Sequence, residues 1–259
     1  MNWSKAKTIL IVFFTIVNLF LLATIMSRNI KNYFIGKETI ANTIEVLKSN
    51  GIKVNKDIIP DGDISVQQFE VHNIIDDYEG FARKLLGEEC IKQSEGLYTS
   101  PKGRVEFWGD KFRYTTRYSG DTSINEDNMI SVLNKFGINI SDYRYSNGAF
   151  VKNINGLDVY DCSLKISFEE DDLLVISGVW FEGKEKAIQG ESELKPITSV
   201  LIDILSSHQK PVEEVEVTNI KLGYMVYETE IYHKSVVLIP AWKMSFSNDE
   251  YVCLDARPE

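Results

Sequence analysis

Gly156-Leu-Asp-Val159-Tyr160 and Gly223-Tyr-Met-Val226-Tyr227 share the pattern G-x-x-V-Y, and each lies inside a longer matched series. An amphipathic helix is expected ahead of each copy. Met129, Ile130, Leu133 and Phe136 form the apolar stripe of the first; Leu194, Ile197, Leu201, Ile204 and Leu205 form that of the second. Pro196 is compatible with the first turn of the second helix, where its missing N–H has no intrahelical partner to lose. A strand is expected after each helix, over Ile138–Tyr145 and Val212–Asn219. Each copy then reaches V-x-x-x-x-W, at Val175–Trp180 and Val237–Trp242. Two landmarks in the same order behind a helix argue for duplication.

One unit therefore reads as a helix followed by an antiparallel meander. A lone small sheet leaves one apolar face bare, so the helix must cover it. The fold class is α+β, with helix-plus-antiparallel-sheet repeats at 121–190 and 191–259. Gly156, Tyr160 and Trp180 are the structural landmarks of the first unit, matched by Gly223, Tyr227 and Trp242 in the second. Upstream, 37–120 reads as a further α+β part with Trp108 as its landmark. Ile40, Ile44 and Leu47 mark a helix over Lys37–Asn50 that Gly51 is placed to end. Ile74, Ile75, Tyr78, Phe81, Ala82, Leu85 and Leu86 follow a helical period, with Gly87 just after. Strand-like runs such as Gly103–Thr116 come next.

The start of the chain is of another kind. Thr8–Met26 holds no charged residue, and as a helix it reaches about 28 Å, close to the ~30 Å of a bilayer's hydrocarbon core. Lys5 and Lys7 precede it, Arg28 and Lys31 follow it, and Trp3 is placed as an interfacial aromatic. The run is longer than the ~7–15 residues of a signal-peptide core and lacks a small-residue cleavage site. The expected order is a basic cytoplasmic head at 1–7, a transmembrane helix at 8–26, a stalk at 27–36, and the rest outside the cytoplasm. The flanking cations nearly tie; a short head stays inside more easily than a large domain.

Charge is segregated along the chain. Lys5, Lys7, Arg28 and Lys31 are the only charged residues of 1–31, so the remainder keeps 24 of the 28 Lys and Arg against all 38 Asp and Glu, a net −14. Nucleic acid, anionic lipid and anionic wall polymers are poor partners for such a domain at long range. Cys90, Cys162 and Cys253 permit one disulfide at most. Cys162 alternates with Tyr160, Leu164, Ile166 and Phe168, which puts it on a buried strand face as a small hydrophobe, and no structural disulfide is expected.

Residues with catalytic potential do not converge. His72, His208 and His233 form no close ligand pair, there is no C-x-x-C, and no metal or cofactor is expected. S-x-x-K occurs at Ser4–Lys7, Ser192–Lys195 and Ser207–Lys210 without the later motifs that complete an acyl-transfer site. Glu169-Glu170-Asp171-Asp172 reads as a solvated hairpin turn. The chain is read as a non-enzyme.

Asn18 lies inside the apolar span, where an unpaired amide is costly. It shares one helix face with Thr8, Ile11, Thr15, Leu22 and Ile25, the stripe expected to contact a partner helix. Local bonding of Asn18 to its own backbone is the alternative.

The string Asn2-Trp-Ser-Lys-Ala-Lys-Thr-Ile-Leu10, running into Val17-Asn-Leu-Phe-Leu-Leu22, resembles the YycI family. Leu238-Ile-Pro-Ala-Trp-Lys-Met244 and Tyr251-Val-Cys-Leu-Asp-Ala256 are similar to that family's final strands, although this chain ends Ala256-Arg-Pro-Glu259 where the family pattern has a Thr-Gly-Glu. The resemblance implies a single-pass protein without catalytic residues. It implies partners: a YycG/WalK-type sensor histidine kinase of cell-wall control and a YycH-like protein, reached through transmembrane contacts. It leaves the sign of regulation open. An anchored inhibitor or chaperone-like module for a cell-envelope enzyme is the competing reading, and an anchored hydrolase would need a nucleophile constellation that is not found.

Overall fold

The computed structural model describes residues 13–15, 17–18, 21, 38–60, 65–73, 77–170, 172–188, 190, 192–207, 213–227 and 235–258. Four helices follow the expected stripes. In α1 (38–49), Leu47 is buried and Ile40 and Ile44 pack beside it. In α2 (Tyr78–Leu86), Phe81, Ala82, Leu85 and Leu86 are buried. The Asp77 side chain caps α2 by accepting from Gly80 N at 2.7 Å, and Gly87 closes it at φ 83°. Ile74 and Ile75 lie outside the described residues. α3 (Glu126–Lys135) buries Met129, Val132 and Leu133 and is capped by Asn125. α4 (Ile197–Ser206) buries Val200, Leu201 and Ile204; Pro196 stands at its cap, one place before the first turn.

The strands are β1 (Ile52–Val54), β2 (Ser65–Val66), β3 (Phe69–Asn73), β4 (Ile91–Ser94), β5 (Leu97–Ser100), β6 (Gly103–Trp108), β7 (Lys111–Arg117), β8 (Tyr143–Ser146), β9 (Ala149–Ile154), β10 (Leu157–Glu169), β11 (Leu173–Val179), β12 (Phe181–Ala187), β13 (Ser192–Glu193), β14 (Val215–Tyr227), β15 (Ser235–Phe246) and β16 (Tyr251–Asp255). Fourteen join one sheet along the path β12-β3-β15-β14-β10-β11-β7-β6-β5-β4, with β1 on β14, β16 on β15, and β8-β9 on β10. β2 and β13 form a separate short ladder. β10 ends at Glu169 and β11 starts at Leu173, so the acidic run falls at their connection.

Two helix-covered cores share this sheet. Residues between Tyr78 and Trp180 supply the first, where α2 and α3 pack with Val105, Phe112, Leu164, Leu174 and Trp180. The second joins α1 and α4 to Val217, Trp242, Met244 and Val252. A smaller cluster lies at the seam, with Phe69, Val159, Cys162, Phe181 and Tyr224. The first core is thus inserted in sequence between the two stretches that build the second. These groupings cut across the boundaries read at 120 and 190. The helix over 38–49 belongs with α4, and β4–β7 belong with α3 and β8–β11.

A helix followed by a long antiparallel hairpin does occur twice, α3 ahead of β10–β11 and α4 ahead of β14–β15. The landmark residues, however, fall in unlike elements. Gly156 turns β9 into β10 at φ 87°, whereas Gly223 lies inside β14. Trp180 links β11 to β12, whereas Trp242 is within β15 opposite Leu222. A short shared pattern matched two different uses of glycine. The strand expected over Ile138–Tyr145 is also shorter: Ile138 and Ile140 are buried in the connection, because Ile138 N bonds back to Leu133 O in closing α3, and only β8 is extended.

Among the described residues no helix is long and apolar enough to cross a membrane. Most of 8–26 lies outside those residues. Thr15 and Asn18 are helical and exposed, while Thr8, Ile11, Leu22 and Ile25 lie outside the described residues.

Candidate functional site

The two G-x-x-V-Y segments meet. Val159 of β10 pairs in parallel with Tyr224 of β14, and this single register pair joins the two halves of the sheet. Gly223 allows the approach: a Cβ there would stand 2.5 Å from Asp158 O and 2.5 Å from the Tyr160 ring. The Tyr160 hydroxyl donates to Lys221 O at 2.8 Å, a second tie across the seam. Farther along the same edge β1 pairs in parallel with Val215–Val217. Among the described residues no strand pairs with this edge of β14 between these two contacts; β15 runs along its other edge.

A cleft of about 550 Å³ occupies that interval. Leu157, Ile220, Leu222 and Pro60 give it apolar walls, and Trp242 lines it from β15. The Trp242 side chain is 4% exposed and its Nε1–H has no hydrogen-bond partner. A buried donor without an acceptor is costly, and a bound acceptor is one way such a donor is satisfied. At the rim Arg144 pairs with Asp158 at 2.5 Å, and Asn153 Nδ2 donates to the other Asp158 oxygen at 3.0 Å. The carboxylate is thereby tied on both oxygens, and among the described residues no serine, cysteine or histidine lines the cleft. This arrangement is suited to holding a ligand group in place.

Beside the cleft the outer face of the sheet carries tyrosine rings and two cations. Lys243 Nζ lies 5.4 Å from the Tyr160 ring centroid and 3.9 Å from that of Tyr251, and Arg257 lies 4.3 Å over Tyr227. Tyr251 is 51% exposed. Exposed tyrosines with stacked cations are typical anchors of protein contacts. Among the sequence landmarks, Gly156, Tyr160 and Trp242 line the cleft, Gly223 packs behind it, and Tyr227 is on the outer face. Trp180 is elsewhere, in the core of α2 and α3. Arg144, Asp158 and Lys243 escaped sequence reading, because each is an ordinary charge until the strand register places it.

His72 lies in β3 opposite Ser235. His208 and His233 lie outside the described residues, among which no group of three or more His, Cys, Asp or Glu is placed to hold a metal. Cys90, Cys162 and Cys253 are free thiols.

Burial sets the titration of this region. Desolvation pushes Cys162 up to about 12 and Tyr224 up to about 12; Cys253 is pushed up to about 12 by burial and then by nearby Asp161. Burial, aided by Cys253 and Asp158, also raises Tyr160 well above its ordinary value. The folded state favours the neutral forms, whereas in the unfolded chain thiols ionise from about pH 8.5 and phenols from about pH 10. The stabilisation is therefore complete below about pH 8.5 and is lost as pH rises toward the folded values. Urea midpoints are expected to fall steadily from about pH 8.5 upward, with a shallower fall in Cys162→Ala. A flat profile up to about pH 10.5 would contradict this.

Comparison with known proteins adds a family. The model of the YycI protein family matches residues 31–256. That span takes in the segments at 238–244 and 251–256 and leaves out the N-terminal string. No curated protein matches the chain. Among solved structures, the crystal structure of an uncharacterized protein from Eubacterium rectale at 1.45 Å resolution is similar over 80% of this chain and 88% of its own, at 12% identity and a TM-score of 0.43. With a family match that runs through both cores and the seam between them, the chain belongs to the YycI protein family.

Proposed function

We propose that the chain is a non-enzymatic, membrane-anchored regulator of a YycG/WalK-type sensor histidine kinase, acting together with a YycH-like protein in control of the cell wall. The family match over 31–256 carries this reading. The apolar run at 8–26 serves as the anchor, with residues 1–7 in the cytoplasm and the sheet outside. Two contacts then link the chain to its partners. One is the membrane-helix stripe of Thr8, Ile11, Thr15, Asn18, Leu22 and Ile25. The other is the Tyr160–Lys243–Tyr251 strip on the outer sheet face, where exposed rings and a cation suit a protein partner.

An interhelical hydrogen bond from Asn18 contributes on the order of 0.6–2 kcal/mol, enough to tune a complex but too little to create one. Asn18→Leu should leave insertion intact, weaken partner association by a few-fold to about thirtyfold, and alter kinase-dependent transcription. Phe14→Leu, on another face, should do little. Replacing 8–26 by an unrelated single-pass helix is the sharper test. Unchanged regulation with the ectodomain still displayed would rule out the helix contact and move the regulatory surface to the outer sheet face. Unchanged kinase output on deleting the whole chain would overturn the regulatory role.

A further inference from the structure

We propose that the concavity between the C-terminal ends of α2 and α3 is a binding site for a phosphate-bearing anion. The site is independent of the kinase reading. Its volume is about 680 Å³, and four cations line it: Lys84 from α2, Lys102 from the β5–β6 turn, Arg117 from the end of β7, and Lys135 from the end of α3. Among the described residues no aspartate or glutamate lines it, in a chain whose net charge is −10. Cations gathered from four separate elements are not the solvated face of one helix.

The register explains why this grouping calls for an anion. β6 and β7 pair Gly103 with Thr116, so Lys102 and Arg117, one residue beyond, stand opposite each other at the mouth of the hairpin. Like charges directly opposite are destabilising. The Thr116 hydroxyl donates to Lys102 O at 2.6 Å and fixes the turn that holds them there. Among the described residues Lys102, Arg117 and Lys135 have no carboxylate partner. The Lys135 ammonium rests on a ring instead, its Nζ 5.1 Å from the Tyr118 ring centroid. A ring face orients a cation without neutralising it. Lys84 and Lys135 also offset the negative ends of α2 and α3. Helix dipoles do not account for Lys102 and Arg117, which stand on a turn and a strand.

A guanidinium with several ammonium groups is the donor set for phosphate oxygens. The concavity exceeds a single phosphate and has apolar walls from Tyr118 and Phe136, so a phosphate ester with an attached organic part fits the site as a whole. A lipid headgroup and a soluble phosphate ester share that chemistry.

Calorimetric titration of the full chain in detergent, at low salt, with inorganic pyrophosphate tests the site. One saturable site is expected, weakened as salt rises. Arg117→Glu and Lys102→Glu should each weaken it on the order of tenfold or more while leaving the unfolding temperature nearly unchanged, since both side chains are exposed. Lys165→Glu makes the same change in net charge on an exposed strand position away from the site and should leave binding intact. Phosphatidylglycerol vesicles separate the sources. Arg117-dependent competition by vesicles marks a headgroup, and competition by soluble phosphate esters alone marks a free ligand; either result upholds the site. No saturable pyrophosphate binding, or equal weakening by Lys165→Glu, overturns it.

Discussion

Trp180→Ala is expected to lower unfolding free energy by about 3–5 kcal/mol, the range for deleting a fully buried tryptophan. The side chain is 2% exposed. Its ring lies 5.1 Å from that of Phe81 on α2, and its Nε1–H donates to Asn139 O at 3.2 Å, just beyond α3. The residue also stands where the chain leaves β11 in one half of the sheet and enters β12 in the other. Truncation therefore opens a cavity in the first core, removes the hydrogen bond to Asn139 O and loosens the crossing. Trp108→Ala is the control: that ring is 50% exposed, and its loss should cost less than about 1 kcal/mol. Urea denaturation of both variants measures the difference, and equal losses would remove Trp180 from its central place.

Gly178→Ala should cost about 3 kcal/mol or more through a different cause, combining backbone strain with overpacking. Gly178 has φ 141° and pairs with Leu164 across the β10–β11 ladder. A Cβ at this position would come within 1.9 Å of Ser163 O and 3.1 Å of Leu164 Cα, all main-chain atoms that cannot rotate away. Gly156→Ala separates strain from crowding. At φ 87° with nothing within 4 Å of the added Cβ, it should cost only about 1–2 kcal/mol. If the two alanines prove equally mild, close packing of β10 on β11 at Gly178 is ruled out as the cause.

The helices were legible because their signal is local. Phe81, Ala82, Leu85 and Leu86 repeat at helical spacing with Gly87 behind them, and the structure buries all four. Cys162 was legible for the same reason, as one member of an alternating run. What escaped was set by contacts distant in sequence. Nothing near Val159 announces that it will pair with Tyr224, and nothing near Leu47 announces Val200. The repeat was misleading in detail, since β-branched and aromatic residues near a glycine suit both a turn into a strand and the middle of one. Trp242 was noticed as a landmark, but its unpaired Nε1–H and the cleft beside it emerge only once β1 and β10 take separate parts of one strand edge. The cations of the second concavity were invisible for the same reason: Lys102 and Arg117 become neighbours through the register of a hairpin.

The insertion of one core within the sequence of the other orders events at the ribosome. Everything needed for the first core has been synthesised once Trp180 has emerged, so that lobe has its complete set of partners early. α1, β1 and β3 emerge before it yet must wait for α4 and β14–β16, which come after it, before Leu47, Ile52 and Val71 find their cover. Contacts of such long sequence separation form slowly. A nascent chain arrested after β13 would thus carry a finished lobe flanked by unpaired strands, and completion of the polypeptide, more than any local step, decides when the second core closes.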